Sequence, residues 1–226
     1  MHRNSLGASW EEVLLSIDTM MIDAPPASVD SIASRYKSPF HVLVSTILSL
    51  RTRDAVTLDA SERLFQQIGT AKELAQCSID HLSQVIYPVG FYKTKAKNLK
   101  KIAEILIKEY AGLVPRSRKE LLALPGVGLK TANLVLSAGF SIPAICVDIH
   151  VHRIANRLGF VATLEPDKTE EVLRKTLPPQ FWMTINQTLV RFGQGICKPT
   201  RPLCPLCTIR AQCPHGRQTT NLTTQG

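Results

Sequence analysis

Apolar positions recur along most of this chain at the three-and-four spacing of helices. Trp10, Val13, Leu14, Ile17 and Met20 form one stripe over residues 9–21, and Pro25-Pro26 closes the helix it predicts. Ser38-Pro39 opens a run that stays largely apolar to Leu50 and carries Ser45, Thr46 and Ser49. A run this apolar predicts a buried core helix. Its β-branched residues would also suit a strand, so periodicity alone does not decide. Arg51-Thr52-Arg53-Asp54 stands at its exit. Further helices are predicted over 54–67, over 77–86 with Ser78 or Asp80 as cap, and over 95–110 with Leu99, Ile102, Ala103 and Leu106 inward. Pro88-Val89-Gly90-Phe91-Tyr92 reads as a loop with an exposed aromatic pair beside Lys93, Lys95 and Lys97. Ser117 caps a short helix over 118–123, and another covers 130–138. After the extended, apolar stretch Pro143 to Val147, helices cover 148–158, 167–177 and 181–193. No repeat, low-complexity tract or linker interrupts the series. Almost everything is helical.

With 226 residues, 44% of them hydrophobic, the chain can bury one good core or two modest lobes. No apolar run reaches the roughly 18 residues that span a bilayer. The start lacks a basic segment followed by an apolar one, so a soluble, intracellular chain is expected. In that setting the sequon Asn221-Leu222-Thr223 carries no meaning. The net charge of +9 is unevenly spread. Residues 91–130 hold ten Lys/Arg against three Glu, and residues 191–226 hold five Lys/Arg and no acid. The first thirty hold one Arg against five acids. Two basic blocks point to a polyanion partner rather than to a merely solvated face.

One basic block runs into Leu124-Pro125-Gly126-Val127-Gly128-Leu129-Lys130-Thr131-Ala132. Glycine tolerates positive φ, so Gly126-Val127-Gly128 permits a tight turn. The helix after it offers unpaired N–H groups and a positive dipole end, together a site for one phosphate. Alone, such a turn more often joins two helices. Four of the six cysteines, Cys197, Cys204, Cys207 and Cys213, fall in 17 residues as C-x6-C-x2-C-x5-C. In an intracellular chain this reads as a metal site rather than a disulfide framework. Four thiolates suit tetrahedral zinc or an iron–sulfur cluster; the single close pair favours [4Fe–4S]. Cys77 and Cys146 read as buried thiols without chemistry.

The order of these pieces resembles the endonuclease III family of DNA glycosylases. The likeness rests on Leu124 to Asn133, on Val147-Asp148-Ile149-His150, and on the cysteine spacing, and it runs from about Ser38 to Cys213. The resemblance implies an all-α fold of two helical lobes with a DNA-binding cleft between them. A six-helix barrel with a helix–hairpin–helix would take residues 31–143. A discontinuous lobe of 1–30 and 144–226 would carry a [4Fe–4S] cluster on the four cysteines. It implies a bifunctional DNA glycosylase and AP lyase that works as a monomer on oxidised pyrimidines in damaged or abasic double-stranded DNA.

On this reading Lys130 is the nucleophile and Asp148 the carboxylate. Glycosidic cleavage develops positive charge on the sugar, which a carboxylate stabilises. An amine that attacks C1′ forms a Schiff base, from which the 3′ phosphate can be eliminated. A helix N-terminus and a basic surface both favour the neutral amine that attack requires. Gly126, Val127, Gly128, Thr131 and His150 would contact DNA. Phe91 matches the position of the wedge that fills the hole left by an extruded base, where relatives carry leucine. Arg51 matches a position where bacterial relatives often carry glutamine that meets the orphaned base; arginine there predicts a preference for guanine opposite the lesion. Thr46 stands where adenine-removing relatives carry glutamate. Ultraviolet-dimer glycosylases share the motifs and remain an alternative, as does a non-catalytic DNA-binding module with a structural or redox cluster. Asp148-x-His150-x-His152 would share a metal only on a strand; on a helix the three side chains diverge.

Overall fold

The computed structural model describes residues 2–221, so Leu222 and Thr223 of the sequon lie outside the described residues. The helices are α1 (Trp10–Met20), α2 (Ser28–Tyr36), α3 (Pro39–Ser49), α4 (Asp54–Phe65), α5 (Ala71–Gln76), α6 (Ile79–Ile86), α7 (Tyr92–Tyr110), α8 (Arg118–Ala123), α9 (Leu129–Leu134), α10 (Ile149–Arg157), α11 (Pro166–Thr176), α12 (Ile185–Gly195) and α13 (Pro214–Asn221). A π-helical turn, Val135–Gly139, continues α9. Among the described residues there is no strand, and no helix is long and apolar enough to cross a membrane. The chain divides into two compact units: Ala27–Ala144, and the segments on either side of it, up to Pro26 and from Ile145.

In the unit Ala27–Ala144, α3 is the axis. Phe40, Val42, Leu43, Val44, Ile47 and Leu48 are all buried, and α2, α4, α7, α9 and the π turn pack around them. A helix apolar on every side has no solvent face to offer, which is why it takes the centre. Burying each of these large side chains contributes about 1.5–3 kcal/mol. Helix α2, which the hydrophobic pattern does not predict, is held from outside: the Ser28 amide and hydroxyl donate to the Asp54 carboxylate at 2.9 and 2.6 Å. Helix α5 begins at a capping box of Thr70 and Glu73. The helix expected over 130–138 instead widens after Leu134, where the Ser137 hydroxyl donates to Asn133 O at 2.9 Å and competes with the ladder. Cys146 is buried as expected, but Cys77 is half-exposed at the end of α5, its thiol 3.4 Å from Glu73 O.

Lys95 is the unusual member of this core. It is 6% exposed, and its ammonium donates to Leu48 O at 2.8 Å, Leu50 O at 2.5 Å and Thr52 Oγ1 at 3.2 Å. None of its hydrogen-bond partners is a carboxylate, so burial pulls it down to about 8. The unfolded chain therefore keeps this proton to higher pH than the folded one, and stability gains as pH rises from 8 towards the ordinary lysine value. Denaturant unfolding of wild type and Lys95→Met should show it. The difference in stability should move in the wild type's favour by up to about 3 kcal/mol between pH 7.5 and 10. A difference independent of pH would contradict the assignment.

The other unit packs α1 against α12, and α10 against α11, α12 and α13. Trp10, Val13, Leu14 and Ile17 enter a core with Val151, Ile154, Leu158, Phe160, Leu189 and Phe192. Trp10 stacks on Phe160 with ring centroids 3.9 Å apart. Ser9 and Glu12 close a capping box at the start of α1. At its other end Asp18 accepts from Thr188 at 2.8 Å and Arg191 at 3.2 Å, both on α12. The polar side of α1 is thereby tied to the element its apolar side packs against.

Candidate functional site

Helix α8, the turn 124–128 and α9 form a helix–hairpin–helix. Ser117 caps α8 by accepting from the Glu120 amide. Gly126 has φ +78°, and a Cβ there would lie 2.7 Å from Asn98 Nδ2, so the turn both requires glycine and rests on α7. Gly128 is the N-cap of α9, with open space where a Cβ would stand. No side chain caps α9 and no acidic residue lies in its first turn, so the helix's own sequence places no negative charge beside its amides. Lys130, half-buried, lies in that first turn. Val127 and Thr131 are buried, so what these two positions offer a ligand is backbone.

Asp148 is the N-cap of α10. Its Oδ1 accepts from His150 N at 2.8 Å and Val151 N at 2.9 Å, which leaves Oδ2 outside the cap. The helix begins at Ile149, so the three members of D-x-H-x-H diverge. His150 Nδ1 meets Arg153 Nη2 at 3.2 Å, and His152 Nδ1 meets Thr169 Oγ1 of α11 at 2.7 Å. Arg153 also donates to Cys197 O at 2.9 Å, a link from this helix to the cysteine loop that spacing could not reveal.

All four clustered cysteines line one cavity, with Ile154, Phe192 and Ile209 among its apolar walls. Arg157 of α10 holds the loop's start, donating to Lys198 O at 2.7 Å and Pro199 O at 2.8 Å and lying 3.4 Å from Cys197 Sγ. The Gly216 amide donates to Cys213 Sγ at 3.3 Å. Burial pushes the Cys207 thiol up to about 11 and raises Cys213 as well, so these sulfurs ionise only against a compensating positive group. Among the described residues no three His, Cys, Asp or Glu side chains converge where a single metal ion could sit. Tetrahedral zinc draws its sulfurs to about 2.3 Å from one point. A cluster of several iron atoms, each taking one thiolate, spreads them apart. Four cysteines lining one largely apolar cavity are the donor set that either group would use.

In the unit Ala27–Ala144, Arg51 and Phe91 come together from two loops. Both have positive φ, +52° and +57°, and the Arg51 guanidinium carbon lies 5.6 Å over the Phe91 ring. Phe91 is 62% exposed, so it is no core aromatic. Two non-glycine residues in the left-handed region mark local strain of the kind that gathers at functional sites. Thr46 is fully buried and donates to Val42 O at 2.6 Å.

A helical chain with this hairpin defines a class, and residues 44–179 match the model of the HhH-GPD superfamily of base excision DNA repair proteins. Endonuclease III of Thermotoga maritima is 50% identical over 180 residues, 80% of this chain and 84% of that one. The chloroplastic endonuclease III homologue 2 of Arabidopsis thaliana is 42% identical over 224 residues, 92% of this chain and 58% of the longer plant protein. A solved structure of a trapped endonuclease III–DNA covalent intermediate, an estranged-adenine complex, superposes with a TM-score of 0.82 at 34% identity, covering 93% of this chain and 96% of that one. The chain belongs to the endonuclease III family, DNA glycosylases with AP lyase activity.

Proposed function

We propose that this chain removes oxidised pyrimidines of the thymine glycol class from duplex DNA and then nicks the strand. The observation that carries this reading is Lys130 in the first turn after an uncapped hairpin, in a chain 50% identical over 180 residues to an endonuclease III. The hairpin amides of Gly126 to Gly128 would hold a phosphate, with Val127 and Thr131 contributing backbone. Asp148 supplies the negative charge that stabilises the sugar cation as the base departs. The Lys130 amine attacks C1′ as the base leaves with the bonding electrons. Breaking of the C1′–O4′ bond, with O4′ taking a proton and the amine losing one, then opens the sugar to the Schiff base. Loss of a proton from C2′ expels the 3′ phosphate and breaks the strand, and hydrolysis of the imine frees the lysine. Phe91 fills the space of the extruded base, and Arg51 meets the base left opposite, with guanine preferred. His150 is read as lying near the DNA, its ring oriented by Arg153.

Excision rates on matched duplexes test the substrate class. One would carry thymine glycol and the other a cyclobutane pyrimidine dimer. Faster excision of the glycol supports the proposal, and faster excision of the dimer overturns it in favour of the ultraviolet-lesion reading. The partner is damaged or abasic double-stranded DNA, the working form is a monomer, and the location is intracellular, with the DNA.

The four cysteines would hold a [4Fe–4S] cluster, as is typical of the family. When bound it supplies a covalent staple for residues 197–213, and no step of the reaction passes through it. Metal analysis of the purified protein should find about four iron atoms per chain and little zinc. Cys207→Ser should lose that iron and destabilise its unit on the order of several kcal/mol. Stoichiometric zinc in the wild type would contradict the cluster.

A further inference from the structure

We propose that Lys95 is a positioning residue: its buried ammonium ties the chain around Arg51 to the turn that carries Phe91, and so governs how the enzyme enters the duplex and reads the base opposite the lesion. The proposal rests on the reading above that Arg51 and Phe91 enter DNA.

The hydrogen bonds around Lys95 close completely. An ammonium has three protons, and three acceptors receive them: Leu48 O, Leu50 O and Thr52 Oγ1. The Thr52 hydroxyl in turn donates to Leu50 O at 3.3 Å and accepts from Gly90 N at 3.1 Å. With Lys95 and Gly90 as its donors, that oxygen has both lone pairs engaged. One side chain thus binds the residues on both sides of Arg51, and through Thr52 it binds the residue before Phe91. Gly90 shows how closely the loops meet. A Cβ there would lie 2.4 Å from Arg51 O, so only glycine fits. The carbonyls that Lys95 takes lie at the C-terminal end of α3, which has no basic residue in its own last turn. A cation there is favoured by the helix dipole.

A buried ammonium without a carboxylate is an expensive way to join two loops, since an apolar side chain would fill the space without the desolvation penalty. What the ammonium adds is direction. It fixes three acceptors at once and holds Arg51 and Phe91 side by side in their left-handed conformations. Small displacements of a group that must enter DNA carry large penalties in rate. Lys95 touches neither the lesion nor the reacting atoms, and it acts through Thr52 and Gly90.

The experiment compares Lys95→Met, Thr52→Val and Thr52→Ser in two reactions. The first is excision of thymine glycol from duplexes with guanine or adenine opposite. The second is nicking of a single-stranded abasic oligonucleotide, which has no stack to open and no opposite base. Lys95→Met and Thr52→Val should lower duplex excision by roughly tenfold to a hundredfold and flatten the guanine-to-adenine ratio towards one. Single-strand nicking should stay within about twofold, because the Schiff-base chemistry does not use these loops. Thr52→Ser keeps the hydroxyl and should restore both rate and ratio. Should Lys95→Met fail to fold, the two Thr52 variants carry the same test. Equal losses in both reactions would make Lys95 a purely structural residue and overturn the proposal. So would an unchanged opposite-base ratio in Lys95→Met and Thr52→Val while Arg51→Ala and Phe91→Ala lose theirs. If Arg51→Ala and Phe91→Ala both excise at the wild-type rate, the loops do not enter DNA, and the reading beneath the proposal fails first.

Discussion

Lys130→Gln is expected to lower nicking of an abasic duplex by about a thousandfold or more, because no other group replaces the amine that forms the Schiff base. Glutamine is uncharged, only one atom shorter than lysine, and a good helix former in the first turn of α9, so the hairpin should persist. DNA affinity should fall by no more than a few-fold, since one charge among many phosphate contacts is lost. Parallel measurements of nicking and of DNA binding at fixed salt check this. Wild-type nicking in the variant would remove Lys130 from the reaction. A collapse of binding with nicking would show that the lysine serves affinity rather than chemistry.

Asp148→Asn should lower base excision by about a hundredfold to a thousandfold, the loss seen when one charge-stabilising group is removed from a transition state. The structure allows this effect to be separated from folding. Asp148 caps α10 through Oδ1, and asparagine caps a helix about as well as aspartate. The variant should therefore melt close to the wild type, while Asp148→Ala should lose about 1 kcal/mol with the cap. If the asparagine variant excises at the wild-type rate, the carboxylate is a cap and nothing more.

Much of this fold could be read from local pattern. The stripe over residues 9–21, the apolar run that became α3 and the Ser117 cap each rest on neighbours in sequence. Other features depended on partners far along the chain. Helix α2 is short and polar, and the group that caps it is Asp54. The start of α7 lies at Tyr92 rather than at the expected Lys95, because Phe91, at positive φ, ends the loop there. The hairpin turn and the four clustered cysteines stood out by local spacing, whereas Lys130 and Asp148 were singled out only by the family that the ordered motifs resemble. Lys95 did not stand out, because it looked like one more solvated lysine in a basic block. Only the position of Leu48, Leu50 and Thr52 around its Nζ shows otherwise. The same holds for Arg153 and Arg157, whose roles lie in the carbonyls of the cysteine loop.

The most direct measurement is borohydride trapping on a duplex with one thymine glycol. An amine that attacks the sugar after the base departs leaves an imine, which reduction fixes as a covalent protein–DNA adduct. A trapped band with the wild type, absent with Lys130→Gln, is the expected result. A chain that binds this duplex and an abasic one, yet traps on neither, would contradict the lysine Schiff base and leave the non-catalytic DNA-binding module in its place.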